Sequence, residues 1–280
     1  MNSRPFPLPG LQSLAATGAD AEKFLQAQLS SDLGGLASGG GQLSAWHDAK
    51  GRVLAILRVL AWNEGYLLVL PASLAASIMK RMSLFVLRAR VELRFGPAVY
   101  GLRPSDAGDW LTAAGLAPAG ARRDEAAGSR LAAMPMPAEV GWLVAGEADP
   151  LLGPPDTAAA AEWQLAELAA GIPEIYPETS GEFVAQMLNL DRLGALSFTK
   201  GCYPGQEIIA RAHHLGRVKR RARLFTAVSP PPAPGTPLAG AGGAVVRAHA
   251  SADGCLLMAV VSEETGDSFA LADGTPLVPV

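Results

Sequence analysis

The run Lys200-Gly201-Cys202-Tyr203-Pro204-Gly205-Gln206-Glu207, continued by Ile208-Ile209-Ala210-Arg211, puts a thiol among an ammonium, an amide, a carboxylate and a guanidinium. That set suits nucleophilic or ligand-binding chemistry, because a thiolate attacks electrophilic carbon and the flanking groups hydrogen-bond or neutralise what it meets. Gly201 and Gly205 allow a positive φ and a close approach to the backbone, while Pro204 fixes φ between them. An exposed, rigid turn is predicted. Cys202 is read as the functional thiol, Lys200 as its partner, and Gln206, Glu207 and Arg211 as groups that hold a ligand or the turn. The plainer alternative, a cysteine buried as a small apolar residue with its lysine in water, stays open at this point.

The elements that must carry this turn are partly legible. Thr17 and Asp20 are candidate helix caps, and Ala21, Phe24, Leu25, Gln28 and Leu29 fall on one face, which predicts a helix over 17–33. Residues 53–60 and 66–70 are apolar runs joined through Trp62-Asn63-Glu64-Gly65, a hairpin signal. Leu74, Ile78, Met82 and Phe85 recur at helical spacing, and 91–95 alternate as a half-buried strand does. From 104 to 155 the chain is rich in Ala, Gly and Pro, and only a short strand at 141–145 stands out. A helix is predicted over 157–170, with Trp163, Leu165, Ala166 and Leu168 apolar and Gly171 placed to end it. Beyond Arg223, strand-like runs at 224–228, 243–250, 255–261 and 269–277 alternate with turns, the pattern of a small β-barrel.

Composition limits the function classes. With 280 residues, 49% of them hydrophobic, the chain can bury a core in two or three domains. No apolar run approaches the roughly 18 residues of a membrane span. Pro5, Pro7, Pro9 and Gly10 interrupt the apolar core that a secretory signal needs, so a cytoplasmic protein is expected. Cys202 and Cys255 are the only cysteines, too few for a disulfide framework or for the usual four ligands of a zinc or iron-sulfur centre. The net charge of −3 gives no general attraction to nucleic acid. Arg211, Arg217, Lys219, Arg220, Arg221 and Arg223 nevertheless form a local basic run that suits a ligand's carboxylates or RNA phosphates, or is simply a solvated strand. His213 and His214 lack a third ligand at metal spacing and read as surface residues. His47 and Asp48 beside Trp46 either border a ligand opening or pack, and Cys255 reads as core. The nucleophile elbow, the phosphate-binding Walker loop and the dinucleotide fingerprint are absent, which removes the common hydrolase, ATPase and dehydrogenase mechanisms.

Gly171-Ile172-Pro173-Glu174-Ile175, Thr179-Ser180-Gly181-Glu182-Phe183, Asn189-Leu190-Asp191 and Ser197-Phe198-Thr199-Lys200 lead into the cysteine motif. Gly18-Ala19-Asp20, Phe24-Leu25, Leu29, Ser31-Asp32 and Asp48-Ala49-Lys50-Gly51-Arg52 add a weaker set. Through these strings the chain resembles the YgfZ family of folate-binding proteins, relatives of the glycine-cleavage aminomethyltransferase (T-protein). The resemblance implies an α+β, three-domain ring around a folate-sized opening. In it, 1–45 with 150–221 form the folate-binding domain that carries the motif, 46–149 an inserted ferredoxin-like domain and 222–280 a C-terminal β-barrel. It implies tetrahydrofolate or a one-carbon derivative as cofactor, held by Lys200, Gln206, Glu207 and Arg211, with Cys202 and Lys200 in the catalytic role. It further implies a function in assembly, repair or maintenance of iron-sulfur enzymes, including those that thiomethylate transfer RNA, with such enzymes or assembly proteins as partners and a possible contact to transfer RNA.

The chain departs from the catalytic relatives at informative places. Aligned on Gly51, the aminomethyltransferase Asp-Asp pair falls on Ala55 and Ile56; neither ionises. The Val-Asn-Ala strand end becomes Val69-Leu70-Pro71-Ala72, and the acid before the helix-closing Ala-Gly becomes Ala169. A conventional aminomethyltransferase is therefore not expected. Two other readings remain: a folate-dependent aminomethyl or methyl transferase using Cys202, and an RNA- or protein-docking module without folate chemistry.

Overall fold

A computed structural model describes residues 4–36, 40–62, 65–116, 131–147, 152–214, 216, 218–240, 243–264, 266 and 268–280. The glycine at 39, the hairpin residues Asn63 and Glu64, and Arg217 lie outside them. Among the described residues the fold is mixed α/β, with three antiparallel sheets and five α-helices. The first sheet is formed by β2 (Leu11–Thr17), β3 (Gly41–His47), β4 (Val53–Trp62), β5 (Gly65–Pro71) and β6 (Glu92–Phe95), in the order β3-β4-β5-β2-β6. The second, in the order β1-β7-β9-β8, contains β1 (Phe6–Pro7), β7 (Ala98–Leu102), β8 (Leu131–Pro135) and β9 (Trp142–Gly146). Residues 45 and 46, on either side of an expected domain divide, lie together inside β3.

The first sheet is covered on both faces, which explains why its central strands are continuously apolar rather than alternating. Along β5, Tyr66, Leu68 and Leu70 enter one core with Phe24, Leu25 and Ile78, while Leu67 and Val69 enter a second with Met134 and Leu143 of the other sheet. The period of two is present, but both phases are hydrophobic. Helix α1 (Ala21–Gln28) is shorter than the predicted 17–33. Thr17 ends β2, and the Asp20 carboxylate accepts from Arg90 N at 2.8 Å instead of capping α1. Helix α2 (Ala72–Ser83) buries Leu74, Ile78 and Met82 as predicted; Phe85 lies beyond it, edge-on to Trp46 at 5.9 Å.

In the stretch that was hard to read, α3 (Pro104–Ala114) packs Trp110 and Leu111 against the far side of the second sheet, and β8 and β9 pair. Helix α4 (Thr157–Ala169) starts at Asp156, whose Oδ1 accepts from Ala159 N at 2.9 Å, and ends at Gly171 with φ +74°, as predicted. Within the motif, α5 (Gln206–His214) replaces half of the expected turn. Helix periodicity was hidden there by a run of only nine residues, and Arg211, His213 and His214 at its end suit the helix dipole.

The third sheet orders β11 (Ala244–Ser251), β12 (Gly254–Ser262), β10 (Arg220–Ala227), β14 (Pro276–Pro279) and β13 (Phe269–Ala270). Isolated bridges Pro237–Ala244 and Leu238–Leu271 connect its two edges through one segment. No described helix is long and apolar enough to cross a membrane.

Candidate functional site

The end of α1, the β3–β4 turn and the motif converge. Leu29 is already extended, leaving the last carbonyls of α1 without helical partners. The Lys200 ammonium fills that gap, donating to Gln26 O at 2.7 Å, Leu29 O at 2.5 Å and Ser31 O at 2.8 Å. All three of its protons are thereby directed at backbone. The group also lies 5.2 Å from the centre of the Tyr203 ring. Burial lowers its pKa to about 8, against the opposing pull of Asp32. Gln206 Nε2 donates to Lys200 O at 3.4 Å and Tyr203 Oη to Ser197 O at 3.3 Å, so these side chains brace the turn.

Gly205 has φ +76°, and a Cβ there would come within 2.5 Å of Gly51 Cα. The two glycines thus allow the motif and the hairpin turn to touch at backbone distance. Asp48 Oδ1 organises that turn by accepting from Lys50 N at 2.8 Å and Arg52 N at 2.9 Å. Cys202 is exposed at the surface of this assembly, as are Glu207 and Arg211, which stand one turn apart on α5. His213 and His214 are exposed beside Phe198, the first stacked on it at 4.1 Å. The described residues include no metal-binding cluster. His47, one residue before the turn, is buried with neither ring nitrogen partnered. Burial pulls its pKa down to about 3, against Asp48, so the ring is neutral at pH 7.

The basic run does not form a uniform stripe. Arg221 is held by Asp191 at 2.9 Å, Asn189 Oδ1 at 3.0 Å and Gln186 O at 3.0 Å, while Arg223 lies over the Phe225 and Phe269 rings. Arg220 is exposed.

A second constellation joins the first and third sheets. Arg58 on β4 is wholly buried and forks to Glu167 Oε1 on α4 and Glu174 Oε1 in the following loop, both at 2.6 Å. Arg247 on β11 approaches the other two oxygens, Glu167 Oε2 at 3.8 Å and Glu174 Oε2 at 3.6 Å, beyond hydrogen-bond reach. It donates instead to Ile172 O at 3.2 Å and to His249 Nε2 at 2.9 Å, whose pKa burial and Arg247 push down to about 4. Burial opposes the charge on Glu174, yet the guanidiniums of Arg58 and Arg247 hold its carboxyl below the usual range. Both carboxylates line a partly open cavity of about 360 Å³. Leu8, Pro9, Leu11, Ala160 and Ala161 form much of its apolar wall, and Trp163 adds an indole N–H that is buried without an acceptor.

None of Lys200, Cys202, Gln206, Glu207 and Arg211 lines this cavity. The five lie along the turn and α5, with Lys200 directed at backbone near the end of α1, Gln206 at Lys200 O, and Cys202, Glu207 and Arg211 exposed. Sequence reading missed Arg58, Glu167 and Arg247 as a group, although a signal was present: Arg58 and Arg247 are each the lone charge of an apolar strand, and such a charge requires a buried partner. Ala55 and Ile56 are fully buried in β4, and Ala169 is exposed at the end of α4.

No family model matches the chain. Curated proteins do. A "tRNA-modifying protein YgfZ" of Edwardsiella ictaluri is 33% identical over 215 residues, covering 73% of this chain but 65% of that protein, just under two thirds of its length. An uncharacterized protein of Haemophilus influenzae is 34% identical over 221 residues, 76% of this chain and 70% of the other. The "tRNA-modifying protein YgfZ" of Escherichia coli O157:H7 is 29% identical over 229 residues, 75% of this chain and 68% of the other. In three dimensions the glycine cleavage system aminomethyltransferase T from Bartonella henselae superposes with a TM-score of 0.72 at 16% identity, covering 99% of this chain and 84% of that one.

Proposed function

The chain belongs to the YgfZ family, and on that footing we propose that it is a tetrahydrofolate-binding protein that supports tRNA-modifying enzymes without performing aminomethyl transfer. The observation that carries the reading is the cavity of about 360 Å³, within the roughly 300–1,000 Å³ of small-ligand sites, whose apolar wall is interrupted by the buried carboxyl groups of Glu167 and Glu174. A folate fits that donor set: its pterin head is flat, largely uncharged and edged with N–H donors. When bound, folate supplies a carrier for one-carbon units; the chain supplies the pocket and the exclusion of water.

Transfer chemistry is unsupported at the positions where the catalytic relatives carry acids. Ala55 and Ile56 are sealed in β4, so no carboxylate of this pair can manage a proton on a reacting folate nitrogen. Cys202 is the functional thiol, presented on a turn that Lys200 and Gln206 hold from behind. Glu207 and Arg211 extend that exposed face towards a client, proposed to be an iron-sulfur enzyme such as those that thiomethylate transfer RNA, in the cytoplasm. In this reading 1–45 with 150–221, 46–149 and 222–280 act as three lobes, the last closing as a barrel through the bridges at Pro237 and Leu238.

The test is genetic and enzymatic. In a strain lacking its own family member, the chain restores the thiomethylated tRNA nucleoside, measured by mass spectrometry, and Cys202→Ala does not. The purified protein releases no formaldehyde-equivalent from an aminomethylated donor with tetrahydrofolate. Turnover in the second assay, or full restoration by Cys202→Ala, would overturn this account.

A further inference from the structure

We infer that Glu174, together with Glu167, anchors the pterin ring in the cavity and replaces the acid that the family's catalytic relatives carry where this chain has Ala169. The inference rests on the folate reading above and assigns its binding residues. The cluster contains two arginines and two glutamates, so its formal charge is zero and it gives a cationic ligand no net attraction. What it offers is unused acceptor capacity. In each carboxylate Oε1 is taken by Arg58, while Oε2 stands 3.6 or 3.8 Å from Arg247, too far to be satisfied by it.

A neutral ring with two adjacent N–H donors meets that need without adding charge. The N3–H and 2-amino edge of a pterin is such a ring, and its carbonyl matches a wall that also holds the unpartnered Trp163 indole N–H. An ionised carboxylate accepts most strongly, and the guanidiniums of Arg58 and Arg247 hold the Glu174 carboxyl below its usual range. Both guanidiniums of this neutral cluster are turned to its own carboxylates, so it offers no free cation to an anionic group. The glutamyl tail of folate therefore points outward through the open side of the cavity, past Ala161, which is exposed and lines it. This deduced polarity, head in and tail out, leaves the motif residues uninvolved in holding the head.

The experiment is anaerobic calorimetry with two probes, tetrahydrofolate and 6-methyltetrahydropterin, on wild type, Glu174→Gln, Ala161→Trp and Arg211→Ala. Wild type binds both probes. Glu174→Gln weakens both by about tenfold or more, the scale of losing a hydrogen bond to a charged group. Should Glu174→Gln fail to fold, Ala161→Trp still decides, since the exposed rim lies outside the ion cluster and its indole fills the cavity; it abolishes binding of both probes. Tetrahydrofolate bound equally by wild type and Ala161→Trp overturns the assignment and leaves the folate reading standing. Binding lost in Arg211→Ala and kept in Ala161→Trp does the same and moves the ligand to the motif. Neither probe binding to wild type defeats the folate reading itself.

Discussion

Cys202 and Cys255 share a chemistry and differ in access. Cys202 is exposed, whereas Cys255 on β12 is 1% exposed. A chromogenic disulfide therefore titrates one thiol per chain in the native protein and the second only after denaturation; a slow first equivalent would contradict the exposed turn. His47 makes a second residue-scale prediction. Its pKa of about 3 lies below the ordinary 6.5, so the unfolded chain takes up a proton that the native chain refuses. Its contribution is complete above pH 6.5 and is lost as pH falls from there towards 3, at up to about 1.4 kcal/mol per unit. His47→Phe flattens the dependence of the melting temperature on pH between 6.5 and 4. It costs little at pH 7, because both ring nitrogens are already unpaired. A variant with an unchanged acid slope would show that other groups, His249 first, govern it. The chemistry-bearing residues of the motif were legible from type and spacing alone. Their orientation was not, because a lysine's reach depends on carbonyls 169 to 174 residues away in sequence.

At the scale of elements, Lys200 belongs to α1 as much as to the motif. It satisfies one carbonyl of the last helical turn, Gln26 O, and two of the segment just beyond it, Leu29 O and Ser31 O. Lys200→Met leaves those acceptors without their donor and lowers stability by about 2–3 kcal/mol, on the order of 5–10 °C in melting temperature. An unaltered melting temperature with a slower reaction at Cys202 would put the ammonium on the thiol instead. The same element explains one limit of sequence reading. The apolar face of α1 was visible at Phe24 and Leu25, but its early stop depends on Ser30, whose hydroxyl accepts from Ala45 N at 2.9 Å and donates to Ala195 O at 2.7 Å. No local pattern announces a contact of that range. By contrast α4 was legible at both ends, since Asp156 and Gly171 act through local backbone geometry. β8 and α3 were hidden in an Ala-rich stretch where small residues blur both periodicities.

Across the whole molecule, the buried ion cluster ties β4, α4 and β11, and so connects the first and third sheets through the helix between them. Arg58→Met removes the donor both carboxylates depend on and leaves them facing an apolar wall. The expected loss is about 3–5 kcal/mol, roughly 10 °C in melting temperature, larger than any surface charge change would give. A loss below about 1 kcal/mol would mean that water or Arg247 takes over, and that the cluster does not hold the first and third sheets together. The superposition on the aminomethyltransferase shows that the two chains share a fold at 16% identity, and a shared fold does not fix a shared chemistry. The central claim is that this chain binds tetrahydrofolate. The most direct measurement is an anaerobic calorimetric titration of the wild-type protein with tetrahydrofolate. Saturable binding of one molecule per chain is the predicted result; the absence of saturable heat at millimolar ligand would contradict it.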